Sequence, residues 1–264
     1  MTRARTNANV TAAVGRNMII NGSMNVAQKA TSVTGLGATA NSTHTVDRWQ
    51  TNVGSTAGRF TMTQTADGPN GISANCLKID CTTADTSIAA AEAFILHQGI
   101  EGQNLQRIGK GVAGAKQITA SFYVKASAAF TFALELFDGD NNRQITKLFD
   151  TTTDWVRHEI TFPADVDDGS SPFDDDNANS LDFGFWIHAG ATFTGGTLNT
   201  ASWANYTNAN RVVGIDSIFS STDNNFFLTG VQLEVGPVAT EFEQENISVT
   251  ENKCFRYFQK FGSV

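Results

Sequence analysis

A chain of 264 residues and 28.3 kDa is long enough to bury a substantial core, either as one large β domain or as two small ones. Its formal net charge of −8 argues against binding a nucleic-acid backbone, which requires clustered Lys and Arg, and it disfavours docking on an anionic membrane. Neither an apolar signal-peptide region nor an apolar run of about 18 residues is found, so no membrane span is expected.

The three cysteines do not suggest a disulfide framework. Cys76 and Cys81 are separated by an odd number of positions, so within one strand they point to opposite faces and do not pair easily. Cys254 lies far away in a different kind of segment. Free thiols suit folding in a reducing cytoplasm, where we expect the chain to be made.

The N-terminal region divides into an arm and the start of a folded domain. Residues 1–16 hold three arginines, including Arg3 and Arg5, and few apolar side chains. We interpret them as a flexible arm for assembly or anchoring, although a simple disordered terminus is the alternative. The segment 17–28 is predicted to be a first strand broken by a turn at Asn21-Gly22, followed by a polar loop to about Thr45.

Alternation of apolar and polar residues predicts most later strands. These are expected near residues 59–64, 77–81, 118–124, 130–136, 155–162, 181–188 and 227–235, with further strands beginning at Asp47 and after Asn142. Residues 90–105 suit a helix or a strand, and the shared parity of Phe94, Leu96 and Ile100 favours the strand. In the last strand, Phe227 and the odd-numbered positions to Val235 are predicted to share one face.

The clearest strand is 181–188. Its odd positions, from Leu181 to Ile187, are all apolar, whereas the even positions include Trp186 and His188. One face is therefore expected in the core, and the other could present a binding surface.

Eight to ten such strands predict an all-β fold, an antiparallel jelly-roll β-sandwich over residues 17–244. Residues 245–264 change in character, and apolar positions at helical spacing predict one helix over Ile247–Phe261. Its apolar stripe would bury against the sandwich or a neighbouring subunit, and we assign the assembly role to Arg3, Arg5, Tyr257, Phe258 and Phe261.

Four aromatic residues are candidates for stacking on sugar rings, because an aromatic face is flat and apolar and has a polar tip. The alternative is that they pack under loops or against a neighbouring subunit. The candidates are Trp155, Trp186, Trp203 and Tyr206.

Two acidic turns offer clustered oxygen ligands of the kind that Ca²⁺ prefers, although neither matches an EF-hand loop and solvated turns are the alternative. The candidate ligands are Asp138, Asp140, Asp174 and Asp176. No other cofactor is expected. The histidines are scattered and no serine or cysteine sits in a nucleophile elbow, so we expect no enzyme activity.

Several motifs resemble those of bacteriophage tail-fibre and virion proteins. Residues 17–24 (NMIINGSM) and 47–49 (DRW) resemble the opening of that group, and 254–259 (CFRYFQ) resembles its closing helix. Further likeness lies in 181–187, 196–200, 203–206, 210–211 and 228–236 (LTGVQLEVG), so the resemblance covers about residues 17–260.

The resemblance implies a virion structural protein whose jelly roll is similar to carbohydrate-binding modules. It implies a place in a tail or fibre-like appendage, a homotrimer, contacts with other virion proteins and recognition of a host surface polysaccharide. A capsid decoration or head–tail connector protein without a ligand is the structural alternative, and a polysaccharide depolymerase is the enzymatic one.

Overall fold

The computed structural model describes residues 15–166 and 171–261, and these residues form two six-stranded antiparallel sheets packed face to face. Sheet A has the order β1-β3-β4-β12-β6-β9 and sheet B the order β11-β8-β7-β10-β5-β2. The strands are β1 Ser32–Leu36, β2 Gln50–Gly54, β3 Arg59–Thr65, β4 Cys76–Thr83, β5 Ala93–Glu101, β6 Ile118–Ala126, β7 Thr131–Asp138, β8 Arg143–Asp150, β9 Val156–Phe162, β10 Asn179–Ala189, β11 Ala204–Asn205 and β12 Asn225–Val235. The predicted all-β jelly-roll sandwich is confirmed.

The core lies between the sheets and is dominated by phenylalanine. β10, in the middle of sheet B between β7 and β5, sends Leu181, Phe183, Phe185 and Ile187 into it, as the alternation predicted. The ring of Phe185 also contacts Phe122 of sheet A edge to face, with the centroids 5.0 Å apart. Such contacts across the sandwich hold the two sheets together.

The predicted parity of β12 is wrong at its first half. Phe226 and Leu228 enter the core, whereas Phe227 lies on the outer face and is half-buried. The register shifts between Thr229 and Gln232, and Gly230 has a φ of 59° within this bulge. A bulge reverses the faces of all later residues, so Val231 and Leu233 point inward. Simple alternation cannot reveal such a reversal.

Two predictions near the N-terminus are also wrong. Residues 17–28 do not form a strand, and part of the presumed loop, Ser32–Leu36, is an edge strand paired with β3. Strand β2 begins at Gln50 rather than at Asp47, because Arg48 has a φ of 74° and cannot lie in a strand.

The irregular segment 17–28 is bound to sheet A through the amide of Asn17. Its Oδ1 accepts from the Leu233 amide at 3.0 Å, and its Nδ2 donates to the Val231 carbonyl at 3.1 Å. Gly22 lies so close to β12 that a Cβ atom there would fall 2.0 Å from the Val231 oxygen. Two backbone hydrogen bonds also join the segment to β12, from the Met18 amide to the Leu233 carbonyl and from the Val231 amide to the Gly22 carbonyl, each at 2.9 Å. The side chain of Asn17 thus supplements these bonds where the segment is too irregular to form a strand ladder.

A second amide holds the same segment together internally. Asn21 Nδ2 donates to the Val26 carbonyl at 2.9 Å and to the Asp47 carbonyl at 3.0 Å, and its Oδ1 accepts from the Val26 amide at 3.1 Å. Trp49 Nε1 donates to the Asn21 carbonyl at 3.2 Å. Asn21 has a φ of 57°, in agreement with the turn predicted there.

The helices are short. Helix α1 spans Ala191–Thr194, and α2 spans Ile247–Phe255, where Asn246 caps the first turn by accepting from the Ser248 amide at 3.0 Å. α2 therefore ends six residues before the predicted Phe261. No helix in the described part of the chain is long and apolar enough to cross a membrane.

The free state predicted for the cysteines is confirmed. Cys76, Cys81 and Cys254 are all buried thiols without a disulfide. Burial raises the pKa of Cys76 and Cys81 to about 11 and that of Cys254 to about 12, so all three remain protonated and unreactive at neutral pH.

Replacement of Asn21 by Ala is expected to lower the free energy of unfolding by about 3 kcal/mol, because three buried hydrogen bonds are lost and the left-handed backbone is retained without an amide. Denaturant titration would measure this loss. Asn21→Gly also removes the amide, but glycine adopts the left-handed backbone without strain, so this variant should lose less stability than Asn21→Ala. The exposed Asn252→Ala serves as the control, and an Asn21→Ala loss no larger than that control's would contradict the role assigned to the amide.

Candidate functional site

A groove crosses the outer face of sheet B, and its first part has a volume of about 200 Å³. A second part of about 190 Å³ shares His97 and Asp182 with the first, so the two are continuous. We call this the sheet-B groove. Its main lining side chains are Asn52, His97, Glu135, Phe137, Asp182, Tyr206 and Arg211 in the first part, and Arg48, Gln50, Glu101, Asn179 and Tyr257 in the second.

Strand pairing explains why these residues meet. On β5 and β10 the side chains that point away from the core include His97 and Asp182, and these strands are direct neighbours. Gly184 lies on the same outer face, paired with His97 on β5 and with Glu135 on β7. Because Gly184 has no side chain, the floor of the groove stays low between its polar residues.

A polar trio occupies the centre of the groove. His97 Nδ1 lies 3.3 Å from Asp182 Oδ1, and Asn179 Nδ2 donates to the same oxygen at 2.9 Å. Burial alone would raise the pKa of Asp182, but the hydrogen bond and charge of His97, together with Asn179, hold that pKa below its ordinary value. Asp182 is therefore a carboxylate at neutral pH and can accept hydrogen bonds from ligand hydroxyls.

Arg211 and Glu135 form one wall. Arg211 Nε donates to Glu135 Oε1 at 2.7 Å and its Nη2 to Oε2 at 2.5 Å. Trp186 Nε1 donates to Glu135 Oε2 at 2.8 Å, and the guanidinium carbon of Arg211 lies 4.5 Å from a Trp186 ring centroid. Arg211 also lies 5.2 Å from the Tyr206 ring, which is 36% exposed.

The four predicted sugar-binding aromatics do not form one platform. Trp186 has no exposed surface and supports the wall from below, and Trp203 is 8% exposed with its Nε1 bonded to the Pro163 carbonyl at 2.9 Å. Trp155 precedes β9 of sheet A, where its Nε1 donates to the Asp67 carbonyl at 3.0 Å. Of the four, Tyr206 lines the groove.

Sequence reasoning missed most of the groove. Asp182 was assigned to the outer face of β10, and the parity of Phe94 and Leu96 already placed His97 on the outer face of β5. The sequence did not indicate that β5 and β10 are neighbours in the sheet, because about 80 residues separate them along the chain. Arg48 carried no functional signal in the sequence beyond belonging to a resemblance motif, and Tyr257 was assigned to assembly and not to a groove.

The predicted Ca²⁺ ligands have protein partners. Asp138 is buried against the Lys110 ammonium, with a distance of 2.6 Å between Nζ and Oδ2. Asp140 Oδ2 accepts from the Asp174 amide at 3.0 Å, and Asp176 Oδ1 accepts from the Ala178 amide at 2.9 Å. Residues 15–166 and 171–261 contain no group of three or more His, Cys, Asp or Glu suited to a metal. Ca²⁺ binding stays a prediction.

A buried serine–histidine–glutamate set was also missed by sequence reasoning. His188 Nδ1 lies 2.8 Å from Ser217 Oγ, and His188 Nε2 lies 3.0 Å from Glu92 Oε2. Ser217 Oγ also accepts from the Phe219 amide at 3.1 Å and so caps a short 3-10 turn. His188 and Glu92 are buried and Ser217 is half-buried, and their hydrogen bonds tie the loop that contains Ser217 to sheet B.

Comparison with known proteins gives no family. The sequence matches no protein-family model and no curated protein. Among solved structures, TmCBM61 in complex with β-1,4-galactotriose is 11% identical with a TM-score of 0.39, over 84% of this chain and 99% of that one. A family 11 carbohydrate-binding module of Clostridium thermocellum is 14% identical with a TM-score of 0.36, over 76% and 94%.

An exo-β-agarase is 9% identical with a TM-score of 0.39, over 78% of this chain and 25% of that one. All three likenesses are too weak to support an inference about this chain, so its function has to be argued from the groove.

The folded chain is expected to lose stability between pH 7.5 and 5.5. Burial lowers the pKa of His188, although Glu92 opposes this effect, and burial likewise lowers the pKa of His44 and His158. The neutral forms of these histidines favour the folded chain. Their contribution to the free energy of unfolding is fully present above the histidine pKa of the unfolded chain, about 6.5, and is lost as the pH falls below it. Denaturant titration across this range would show a decreasing free energy of unfolding.

His158→Gln provides the comparison, because His158 is half-buried and its Nε2 contacts only the Asp150 carbonyl, at 2.8 Å. This variant should show a shallower pH dependence than the parent chain. Equal or rising stability of the parent chain toward pH 5.5 would contradict the prediction.

Proposed function

We propose that this chain is a glycan-binding domain that holds a polysaccharide in the sheet-B groove. The observation that carries the proposal is the groove itself, which is continuous across four strands, has a tyrosine near each end and has polar side chains between them. Sugars present apolar ring faces and many hydroxyl groups, so a site with aromatic faces and convergent polar groups suits them.

The polar centre offers both kinds of hydrogen-bonding group. The Asp182 carboxylate accepts, the Asn179 amide donates and accepts, and His97 supplies a ring nitrogen. Their mutual hydrogen bonds hold them in place before a ligand arrives. Binding therefore costs less conformational entropy than it would with free side chains.

The dimensions favour a chain of several sugars over a single one. The groove crosses β7, β10, β5 and β2, and three strand spacings of roughly 4.8 Å give it a length of about 14 Å across the sheet. The proposal includes no catalytic step. Asp182 has a lowered pKa, which is the opposite of what a general acid in glycoside hydrolysis requires, and Glu135 is engaged by Arg211 and Trp186.

On the basis of the sequence resemblance, we propose that this domain is part of a phage appendage. The motifs that carry the resemblance pack together: Asn17 bonds to β12, and the guanidinium carbon of Arg48 lies 3.5 Å from the ring centroid of Tyr257 in the closing motif. The first and last motifs thus close one folding unit. Three copies would associate through the N-terminal arm, whose Arg3 and Arg5 lie outside the described residues, and through exposed apolar residues of the C-terminal region, which include Ile247, Phe255 and Phe261. Tyr257 and Phe258, also assigned to assembly, are half-buried against Arg48 and Lys29 and offer less surface to a neighbouring copy.

Polysaccharide binding is expected to weaken about tenfold or more in Asp182→Asn and Tyr206→Ala, because each loses a contact in the groove. Affinity electrophoresis against a panel of neutral and acidic polysaccharides would identify a ligand, and titration calorimetry would give the dissociation constants. Trp155→Ala is the matched control, since Trp155 lies at sheet A.

The control variant should bind as the parent chain does. The proposal fails if the parent chain binds no polysaccharide, or if the folded Asp182 and Tyr206 variants retain full affinity.

The proposed setting predicts that antibody against this chain labels the tail of intact virions of the encoding phage, and that the purified chain elutes as a trimer in size-exclusion chromatography with light scattering. Phe255→Ser should shift that elution toward monomer, because an exposed apolar side chain of α2 is removed.

Label on the capsid or at the head–tail junction would replace the appendage with the decoration or connector alternative. A monomer at all concentrations would contradict the trimer, and absence of the chain from disrupted virions, tested by mass spectrometry, would contradict the setting.

A further inference from the structure

A third depression, of about 330 Å³, continues the sheet-B groove past Arg48 toward the end of α2. It shares Arg48, Gln50 and Tyr257 with the adjoining part of the groove, so a ligand in the groove can extend into it. We call it the Arg48 pocket. Its other lining residues are one cation, one carboxylate and five uncharged residues: Lys29, Asp47, Asn41, Ser42, Thr43, Cys254 and Phe258.

Arg48 is held in this pocket by the backbone and by an aromatic ring. Its guanidinium carbon lies 3.5 Å from the centroid of the Tyr257 ring, and its Nη2 donates to the Gly99 carbonyl at 2.5 Å. Its φ of 74° is unfavourable for a residue with a side chain. Its Nε atom is buried without a hydrogen-bond partner, and no carboxylate of the described residues forms an ion pair with Arg48.

Lys29 is a second cation of the same kind. Its Nζ donates to the Thr43 carbonyl at 2.9 Å and lies 5.0 Å from the Phe258 ring centroid. In the described parts of the chain, no carboxylate forms an ion pair with it either. Other arginines beside the groove are paired, Arg211 with Glu135 and Arg256 with Glu101. In a chain with 26 acidic and 18 basic residues, two unpaired cations in one pocket are unexpected.

The carboxylates nearest to Arg48 are already engaged. Asp47 accepts from the Gln28 amide at 2.9 Å and from the Gln28 side chain. Glu101 accepts from both Nε and Nη2 of Arg256, each at 3.0 Å. Asp182 in the adjoining part of the groove is bonded to His97 and Asn179. Lys29 and Arg48 thus bring two positive charges to a pocket in which Asp47 is the one carboxylate, so a positive charge remains for a ligand.

We propose that the Arg48 pocket binds an anionic group of the glycan, a carboxylate or a sulfate ester, so that the ligand is an acidic polysaccharide. The inference rests on the proposed function and specifies its ligand class. The guanidinium of Arg48 can donate charge-assisted hydrogen bonds to such a group, and the Lys29 ammonium adds a second positive charge. Hydroxyl and amide groups of Ser42, Thr43 and Gln50 line the rest of the pocket.

Titration calorimetry with three oligosaccharide probes would test this inference. The probes are oligogalacturonates, which carry carboxylates, sulfated carrageenan oligosaccharides, and neutral galactan oligosaccharides of the same length. An acidic probe should bind about tenfold or more tightly than the neutral one, and its affinity should fall as NaCl rises from about 50 to about 500 mM, because salt screens the charges.

Lys29→Gln should weaken the acidic probe by about tenfold and leave the neutral probe within about twofold. Arg48→Gln should weaken the acidic probe by a larger factor than the neutral probe, because Arg48 also lines the sheet-B groove. Arg48→Lys keeps the charge but loses the planar fork, so it should lie between the parent chain and Arg48→Gln. Lys116→Gln removes one positive charge from an exposed position away from the pocket and should change neither affinity. If Arg48→Gln does not fold, the affinities of Lys29→Gln for the acidic and neutral probes decide the test.

The outcomes separate the two proposals. If acidic and neutral probes bind equally, or if Lys29→Gln binds acidic probes as the parent chain does while Asp182→Asn weakens all probes, the pocket inference is wrong and the groove stands. If no oligosaccharide binds, both are wrong. If inorganic sulfate binds at Arg48 as tightly as the sulfated probe does, the pocket is a site for free anions and the glycan inference is overturned.

Discussion

The fold depends on how the buried, irregular segment 17–28 satisfies its polar backbone without becoming a strand. Asn17 supplies an acceptor and a donor to β12, and Asn21 joins the Val26 and Asp47 carbonyls from inside the turn. An unpaired buried amide or carbonyl costs about 1–3 kcal/mol, so neither side chain can be replaced by an apolar one of similar size. These two amides therefore fix the segment against sheet A and, through Asp47, the start of β2.

The same constraint produces the binding surface. Asp47, Arg48 and Trp49 are consecutive, yet each has a different environment: Asp47 is tied to Gln28, Trp49 is buried beneath Asn21, and Arg48 is turned outward by its positive φ. A strand would alternate these side chains between two faces only. Because the backbone leaves the extended region at Arg48, the guanidinium reaches Tyr257 at the far end of the chain. A motif that is needed for folding thus also places a cation in the groove.

Local patterns in the sequence predicted the core well and the groove poorly. The alternation of β10 identified its core face because every inward position is apolar, and burial of that face follows directly. Phe227 was misplaced because the bulge at Gly230 comes after it. Segment 17–28 was misassigned because it is joined to β12 by two isolated backbone bonds and by the Asn17 side chain instead of a continuous ladder. The groove brings together β2, β5, β7, β10, the loop at Tyr206 and the end of α2, and no spacing within the sequence encodes those neighbours.

Two arginines on the same groove show how pairing determines what a charged side chain can do. Arg211 is bonded twice to Glu135 and stacked on Trp186, so its charge is neutralised within the protein and its role is to build the wall. Arg48 has the aromatic contact and one carbonyl, but no carboxylate. An anionic group added beside Arg211 would compete with Glu135, whereas beside Arg48 it would meet an unsatisfied donor and a second cation. In the proposed function, the charge selectivity of the groove would therefore depend on the Arg48 end, and the Tyr206 end would recognise the uncharged faces and hydroxyls of the sugars.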